Sequence, residues 1–442
     1  MTARSGRGYT ALTESVADPV LSAPAGRSWW LLFSAGLVLT CVFFGSIFWL
    51  FYEGIGIFGN NTSVVWAYPI ANYVWWIGIG NAGTLISCML LLTRQKWRSS
   101  INRFAEAMTL FAAAIAGIFP ILHLGRPLYF YWLVPYPNTM DLWPQWKSPL
   151  VWDFFAIASY LIFSLLFWYV GALPDFATFR DRSRSRAGQL IYGALALGWR
   201  GSVRHWAAYE TFYKTMAALG VPLVVSVHSV VGMDFAAGNM PGWQETIFPP
   251  YFVVGAMFSG FAMVVVLAAI VRRFLRTEEL VTRHHFEAMA KILLAGSIVM
   301  GLSYGTEAFQ SWYAGDDVDR TVVAFQYTGT YAWLMWMQIA CNVAIPQLLW
   351  LPAARRSIPV LLVIAVLINV GMYLERILII INTLSRGHLP SMWSSYAPTL
   401  WDWLLLAGSL GFFLLLFACF LRLAPAISMH EMRKLVFEGG RE

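Results

Sequence analysis

Six ionisable side chains stand where a membrane helix should be apolar. His123 closes one greasy run in "GIFPILHLGRP", Asp153 opens the next in "SPLVWDFF", His228 and Asp234 share "VHSVVGMDFA", and Arg376 follows Glu375 in a fourth run. A charge at the centre of a spanning helix costs about 2.5–3.5 kcal/mol on insertion scales, so such groups face a protein interior and mark a site. Histidine, and a carboxyl group whose proton affinity is raised by burial, are the usual proton acceptors near neutral pH. Two of them at one membrane face, beside the aromatic stretch "RPLYFYWLVPYPNTMDLWPQW", suit a flat ring with two hydroxyls that enters sideways from lipid. Quinol has that shape, and its oxidation needs an acceptor within hydrogen-bond reach of each ring oxygen. His123 and Asp153 are the expected acceptors, with Asp234 and Arg376 at the same depth. Arg126, Tyr129, Tyr131 and His228 are the expected pocket. Each also has a plainer reading. Asp153 suits a helix first turn, Asp234 a helix end, His123 the membrane interface, and Arg376 a pairing with Glu375 or another acid, since buried charges are paired. Their joint occurrence favours a site.

The elements that must hold them are membrane spans. The chain has 442 residues, 59% of them hydrophobic and 12% charged, with a mean hydropathy of +0.61, whereas a soluble domain carries roughly 25% charge. Stretches of about 20 apolar residues cross a bilayer. There are about ten, near 29–52, 64–93, 101–123, 149–173, 207–233, 249–274, 286–312, 326–350, 357–384 and 401–423, numbered here spans 1 to 10. The first is read as a retained span, because no small-residue cleavage site follows it. Alternate loops carry the arginines and lysines, including Arg94, Arg98, Arg180, Arg184, Arg272, Arg276 and Arg355. Basic loops stay in the cytoplasm, so both termini lie inside. The net charge of +7 is accounted for by this topology and is no nucleic-acid footprint. Arg94, Arg103 and Glu106 fall near the inner surface and read as solvated charges.

The third span begins "FAEAMTLFAAAIAG" at Phe104 and the seventh "FEAMAKILLAGSIVMG" at Phe286, both after a basic loop. This is either a parallel internal repeat or a chance likeness of two Ala-rich helices. As a repeat it gives an all-α membrane protein of two four-helix bundles. The expected parts are an inner segment 1–28, a flanking span 29–52, bundles over 64–235 and 249–384, a last span 401–423 and an inner tail 424–442.

Of the seven histidines only His228 lies well within a span, so paired ligation of stacked haems is not available. Cys41, Cys88, Cys341 and Cys419 are scattered singly through apolar helices, unlike an iron–sulfur or zinc site. No phosphate loop or dinucleotide fingerprint occurs. The expectation is a chain with no haem, cluster or other metal of its own. Electrons from quinol would leave on the side where it is oxidised, into a partner's centre, and protons would be released there too. Any further proton movement would use polar residues inside the bundles, such as Asn72, Asn81 and Thr84, or Ser303, Glu307 and Gln310.

The stretch "WWIGIGNAGTLISCMLLLTRQKWRSSINRFAEAMTLFAAAIAGIFPILHLGRP", with "YPNTMDLWPQWKSPLVWD", "VHSVVGMDFA" and "GWQETIFPPYFVVGAMFSGFAMV", resembles the polysulfide-reductase (NrfD-like) family of quinone-interacting membrane subunits. Within that family it is similar to the larger such subunit of alternative complex III, the bacterial quinol:electron-acceptor oxidoreductases. The resemblance covers roughly residues 60–420. It implies ten helices and a quinol site near the periplasmic face of the bacterial inner membrane; menaquinol is the expected ligand, with ubiquinol, which asks for a similar pocket, left open. It also implies a periplasmic iron–sulfur subunit, cytochrome c subunits and a second homologous membrane subunit as partners. His123 of "HLGRP", Asp153 of "PLVWD" and Asp234 of "HSVVGMDFA" match the family's quinol positions, and Arg376 matches in less distinctive surroundings. Asn81 stands in "GIGNAG" where a histidine is expected in many relatives, and an amide takes up no proton at ordinary pH. Two other classes stay open: a proton-coupled secondary transporter, which a parallel repeat would also suit, and a plain membrane anchor.

Overall fold

The computed structural model describes residues 8–123, 125–133, 146–147, 149–313 and 315–439. Among them all regular structure is helical. Ten helices are long and apolar enough to cross a membrane, which makes the chain a multi-pass membrane protein. In lipid only a helix bonds its whole backbone internally, so each long apolar run becomes one. They span Arg27–Glu53, Tyr68–Leu92, Asn102–His123, Pro149–Arg182, Val203–Ala236, Phe248–Phe274, Arg283–Tyr313, Ala332–Trp350, Ile358–Asn382 and Leu400–Leu423.

Spans 2 to 5 pack on one another, as do spans 6 to 9, and spans 1 and 10 form a pair against the first set. Span 2 is the centre, with 83% of its apolar window buried and neighbours in both sets. Two glycines allow this. A side chain on Gly83 would come within 2.0 Å of the Ala105 carbonyl oxygen of span 3, and one on Gly260 within 1.8 Å of the Ala82 side chain. Small residues at such crossings let membrane helices pack backbone to backbone.

Span 8 departs from a regular helix. Expected from residue 326, it begins at Ala332, after a separate short helix Asp317–Thr328. Its continuation is a π turn, Ala340–Ala344, then a tighter segment Ile345–Trp350. Pro346 explains the shift: it has no N–H and crowds the carbonyl four residues earlier. That carbonyl, of Asn342, accepts instead from Ser297 Oγ at 2.8 Å.

Span 4 runs to Arg182, well past the expected 173, and is followed by a helix Arg186–Leu195. Helices Tyr9–Leu21 and Met429–Gly439 pack together and against the inner ends of the spans. There Arg98 meets Glu431 at 2.5 Å, Asn102 donates to Glu431 at 3.0 Å, and Arg433 reaches the hydroxyl of Thr13. This cap corrects the reading of Arg103 and Glu106 as solvated. Both are about 1% exposed, with Arg103 3.4 Å from Glu106 and 3.5 Å from Asp175. Its guanidinium also donates to the Gly171 and Trp168 carbonyls, and Tyr213 OH donates to Glu106. Arg94 alone of the three is exposed.

Candidate functional site

The outer ends of four spans converge on Tyr73 of span 2. Its hydroxyl donates to Asp153 at the start of span 4, and its ring centroid lies 6.0 Å from that of His123 at the end of span 3. Trp66, before span 2, sets its ring edge-on to His123 at 6.4 Å. Asp234 of span 5 is near enough for its charge to act on both Asp153 and Tyr73. Three expected residues, His123, Asp153 and Asp234, are therefore brought together. Tyr73, which joins them, carried no signal in the sequence, because a tyrosine in an aromatic-rich helix looks like packing.

Several polar atoms here are buried and lack a partner among the described residues: both ring nitrogens of His123, Oδ1 of Asp153 and Oδ1 of Asp234. Native interiors seldom leave such groups bare, and each one asks for an explanation, whether a ligand, a water or an ion. A ligand with two oxygen functions would meet this set of donors and acceptors.

His228 and Asn81 lie deeper and are bonded to each other. With the amide nitrogen donating, Nδ1 of His228 accepts and the ring proton sits on Nε2. That Nε2 has no partner among the described residues. Below this pair, Tyr160 OH donates to the Gly80 carbonyl at 2.6 Å, Thr109 Oγ1 donates to the same carbonyl at 2.7 Å, and Thr84 Oγ1 reaches Ser164 Oγ at 3.0 Å. Polar groups thus run down the first bundle from Asp153 to the buried Arg103–Glu106 pair.

Arg376 belongs to a second cluster. It meets Glu375 at 3.1 Å and lies 4.0 Å over the Phe252 ring, close enough for its charge to act on His228. Glu375 accepts from Tyr304 OH, which in turn accepts from Asn342 Nδ2 at 2.9 Å. Glu307 sits within the field of Glu375 and Glu245. Ser303 bonds back to the Val299 carbonyl of its own helix, and the Gln310 carbonyl accepts from Gly315 N. Tyr304 and Asn342 carry the bonding here, and neither was singled out from sequence. Asn342 is placed by the π turn, which hydropathy does not reveal.

Arg126, Tyr129 and Tyr131 lie on the exposed turn after span 3, with the two tyrosine rings 6.2 Å apart. Most of the expected aromatic roof, 134–145, lies outside the described residues.

Fold and site together define a polytopic helical membrane protein with a buried, multi-helix cluster of protonatable groups. Residues 56–386 match the family described as polysulphide reductase, NrfD, and the chain belongs to that family. The match takes in spans 2 to 9 and leaves spans 1 and 10 outside. The chain is 24% identical over 261 residues to a putative dimethyl sulfoxide reductase membrane subunit of Halobacterium salinarum, covering 58% of this chain and 54% of that protein. It is 25% identical over 228 residues to a selenate reductase subunit of Mesobacillus selenatarsenatis, covering 49% and 50%. The chain spans about half the length of these curated relatives.

Proposed function

We propose that this chain is the quinol-binding membrane subunit of a bacterial inner-membrane oxidoreductase complex of the alternative complex III type, and that it oxidises menaquinol at its outer rim. The observation that carries the reading is the set of unpartnered buried atoms on His123, Asp153 and Asp234, converging from three spans around Tyr73. Quinol oxidation releases two protons and two electrons. His123 accepts one proton through a ring nitrogen, Asp153 the other through Oδ1, and Tyr73 fixes the second Asp153 oxygen. Asp234 carries protons onward to the outer aqueous side. The electrons pass to an iron–sulfur cluster in a periplasmic partner and then to cytochrome c subunits, beside a second homologous membrane subunit. That both relatives are subunits of reductases supports a place within such a complex. Proton translocation, in this reading, would follow the polar column through Asn81, His228 and Thr84, or the cluster around Glu307.

The test is turnover of the purified complex with a soluble quinol analogue, comparing His123→Phe and Asp153→Asn with the parent. Loss of a positioned general base costs about 10²–10⁴-fold. Turnover unchanged in both variants sinks the proposal and favours a plain anchor.

A further inference from the structure

Where span 4 ends and span 5 begins, on the inner side, the chain leaves a cavity of about 160 Å³ that the quinol reading does not use. It is far larger than the ~10–15 Å³ that admits one water. Its walls are the last turns of span 4, the loop Trp199–Gly201, Trp206, and His430 and Arg433 of the C-terminal helix.

Charge in this cavity is not balanced from within. Asp175 is held by Arg103 and by the His430 N–H at 3.3 Å, and Asp181 by Arg180 Nε at 2.8 Å. Arg433 gives two of its nitrogens to the neutral hydroxyl of Thr13 and shares the charge of Asp175 with Arg103, so the lining sets three arginines, Arg180, Arg200 and Arg433, against two aspartates. The Arg200 guanidinium has no partner among the described residues. Two indole N–H groups add donors without acceptors. Gly201, at φ +66°, turns the loop so that a side chain there would sit 3.8 Å from Trp206 Nε1 and 4.0 Å from Trp199 Nε1. Neither indole nitrogen has an acceptor among the described residues. Cations and N–H donors around a half-open cavity select an oxyanion.

The surroundings say what carries that oxyanion. The helix Arg186–Leu195 lies against span 4, with Tyr192 packed on Phe179 at 5.2 Å and its hydroxyl donating to the Leu423 carbonyl. Its other face shows Leu190 at 61% and Ile191 at 59% exposure, and Leu197 and Val203 beyond it are 71% and 87% exposed. Arg182, Arg184, Arg186 and Arg204 flank this apolar patch. Such a helix lies in the plane of a leaflet, apolar side among acyl chains and basic side at the headgroups.

We infer that this cavity binds the phosphate of an anionic phospholipid of the inner leaflet, whose acyl chains lie along the exposed face of Arg186–Leu195. Arg200 and Arg433 take the phosphate charge, and the indole N–H groups of Trp199 and Trp206 orient it. Because Arg433 and His430 stand on the C-terminal helix, the bound lipid also ties that helix to the membrane.

The experiment uses the whole purified complex, delipidated and placed in phosphatidylcholine nanodiscs with a minor share of phosphatidylglycerol, with retained lipid counted by native mass spectrometry. The parent is expected to retain phosphatidylglycerol in excess over its share. Arg200→Gln and Arg433→Gln should each lower that excess about fivefold, the usual worth of one basic residue near an anionic membrane surface. Trp206→Phe, which keeps a ring against His430 and removes the N–H, should lower it by less. Arg276→Gln, on a different inner loop, should leave it unchanged. Arg200 is exposed, so its variant reads out binding even if Arg433→Gln unfolds. Equal loss in Arg276→Gln reduces the effect to general surface charge and overturns the site. No preference for phosphatidylglycerol, or its full displacement from the parent by inorganic phosphate, overturns the lipid assignment.

Discussion

Arg103→Met is the perturbation whose cost the structure fixes most directly. The guanidinium faces Glu106 at 3.4 Å and Asp175 at 3.5 Å, all three side chains about 1% exposed, and donates to the Gly171 carbonyl at 2.6 Å and the Trp168 carbonyl at 3.2 Å. Methionine fills a similar length and supplies no donor. Removing one partner of a buried ion pair costs about 3–5 kcal/mol, because the other charge is stranded in low dielectric. Here two carboxylates lose their cation together, so the upper part of that range is expected. At about 1.36 kcal/mol per tenfold, the range is about 10²–10⁴-fold in the folding equilibrium. The assay is denaturant unfolding of the purified protein in mixed micelles, followed by tryptophan fluorescence. A triple variant, Arg103→Met with Glu106→Gln and Asp175→Asn, strands no charge and should recover most of the loss, since neutral replacement of a whole buried charge cluster is often close to neutral. A single variant within about 0.5 kcal/mol of the parent, or a triple variant no better than the single, refutes the account.

Three further outcomes are expected. Asp234→Asn should lower quinol turnover of the complex by about 10²-fold or more while leaving its folded yield unchanged, read by steady-state kinetics beside size-exclusion profiles. Burial against Trp206 pushes His430 down to about 4 from the ordinary 6.5. The unfolded tail therefore binds the extra proton first, and docking of the C-terminal helix should be level above about pH 7 and weaken steadily from 6.5 towards 4. Limited proteolysis of the tail across that range checks this, and His430→Phe should remove the slope. Gly83→Val should abolish folded yield, because the new Cβ falls 2.0 Å from the Ala105 oxygen, whereas Gly117→Ala meets nothing within 4 Å and should be neutral or slightly stabilising on a thermal ramp.

Hydropathy located the ten spans because a bilayer demands runs of fixed length, and that demand is written in composition. It failed where a helix is not lipid-facing. Span 4 continues past residue 173 through Pro174 and Asp175, whose polar side packs on the tail, and Arg186–Leu195 is too short to register as a span. His123, Asp153 and Asp234 were legible because an ionisable residue in such a run is costly and rare. Tyr73 and Tyr304 were not, since a hydroxyl that bonds a buried carboxylate is indistinguishable in sequence from one that merely packs. Arg103 and Glu106 were misjudged because Glu431, more than 300 residues further along, helps to close the space above them. No local pattern announces a contact of that separation.

The burial of span 2 has a mechanical corollary. One rod is wedged into both halves of the molecule, locked by backbone-close crossings at Gly83 on one side and Gly260 on the other. Moving one half over the other would disturb the contact between Ala82 and the helix that Gly260 belongs to. Any displacement of one half against the other therefore has to break this crossing first, which concentrates its cost at Ala82 and Gly260.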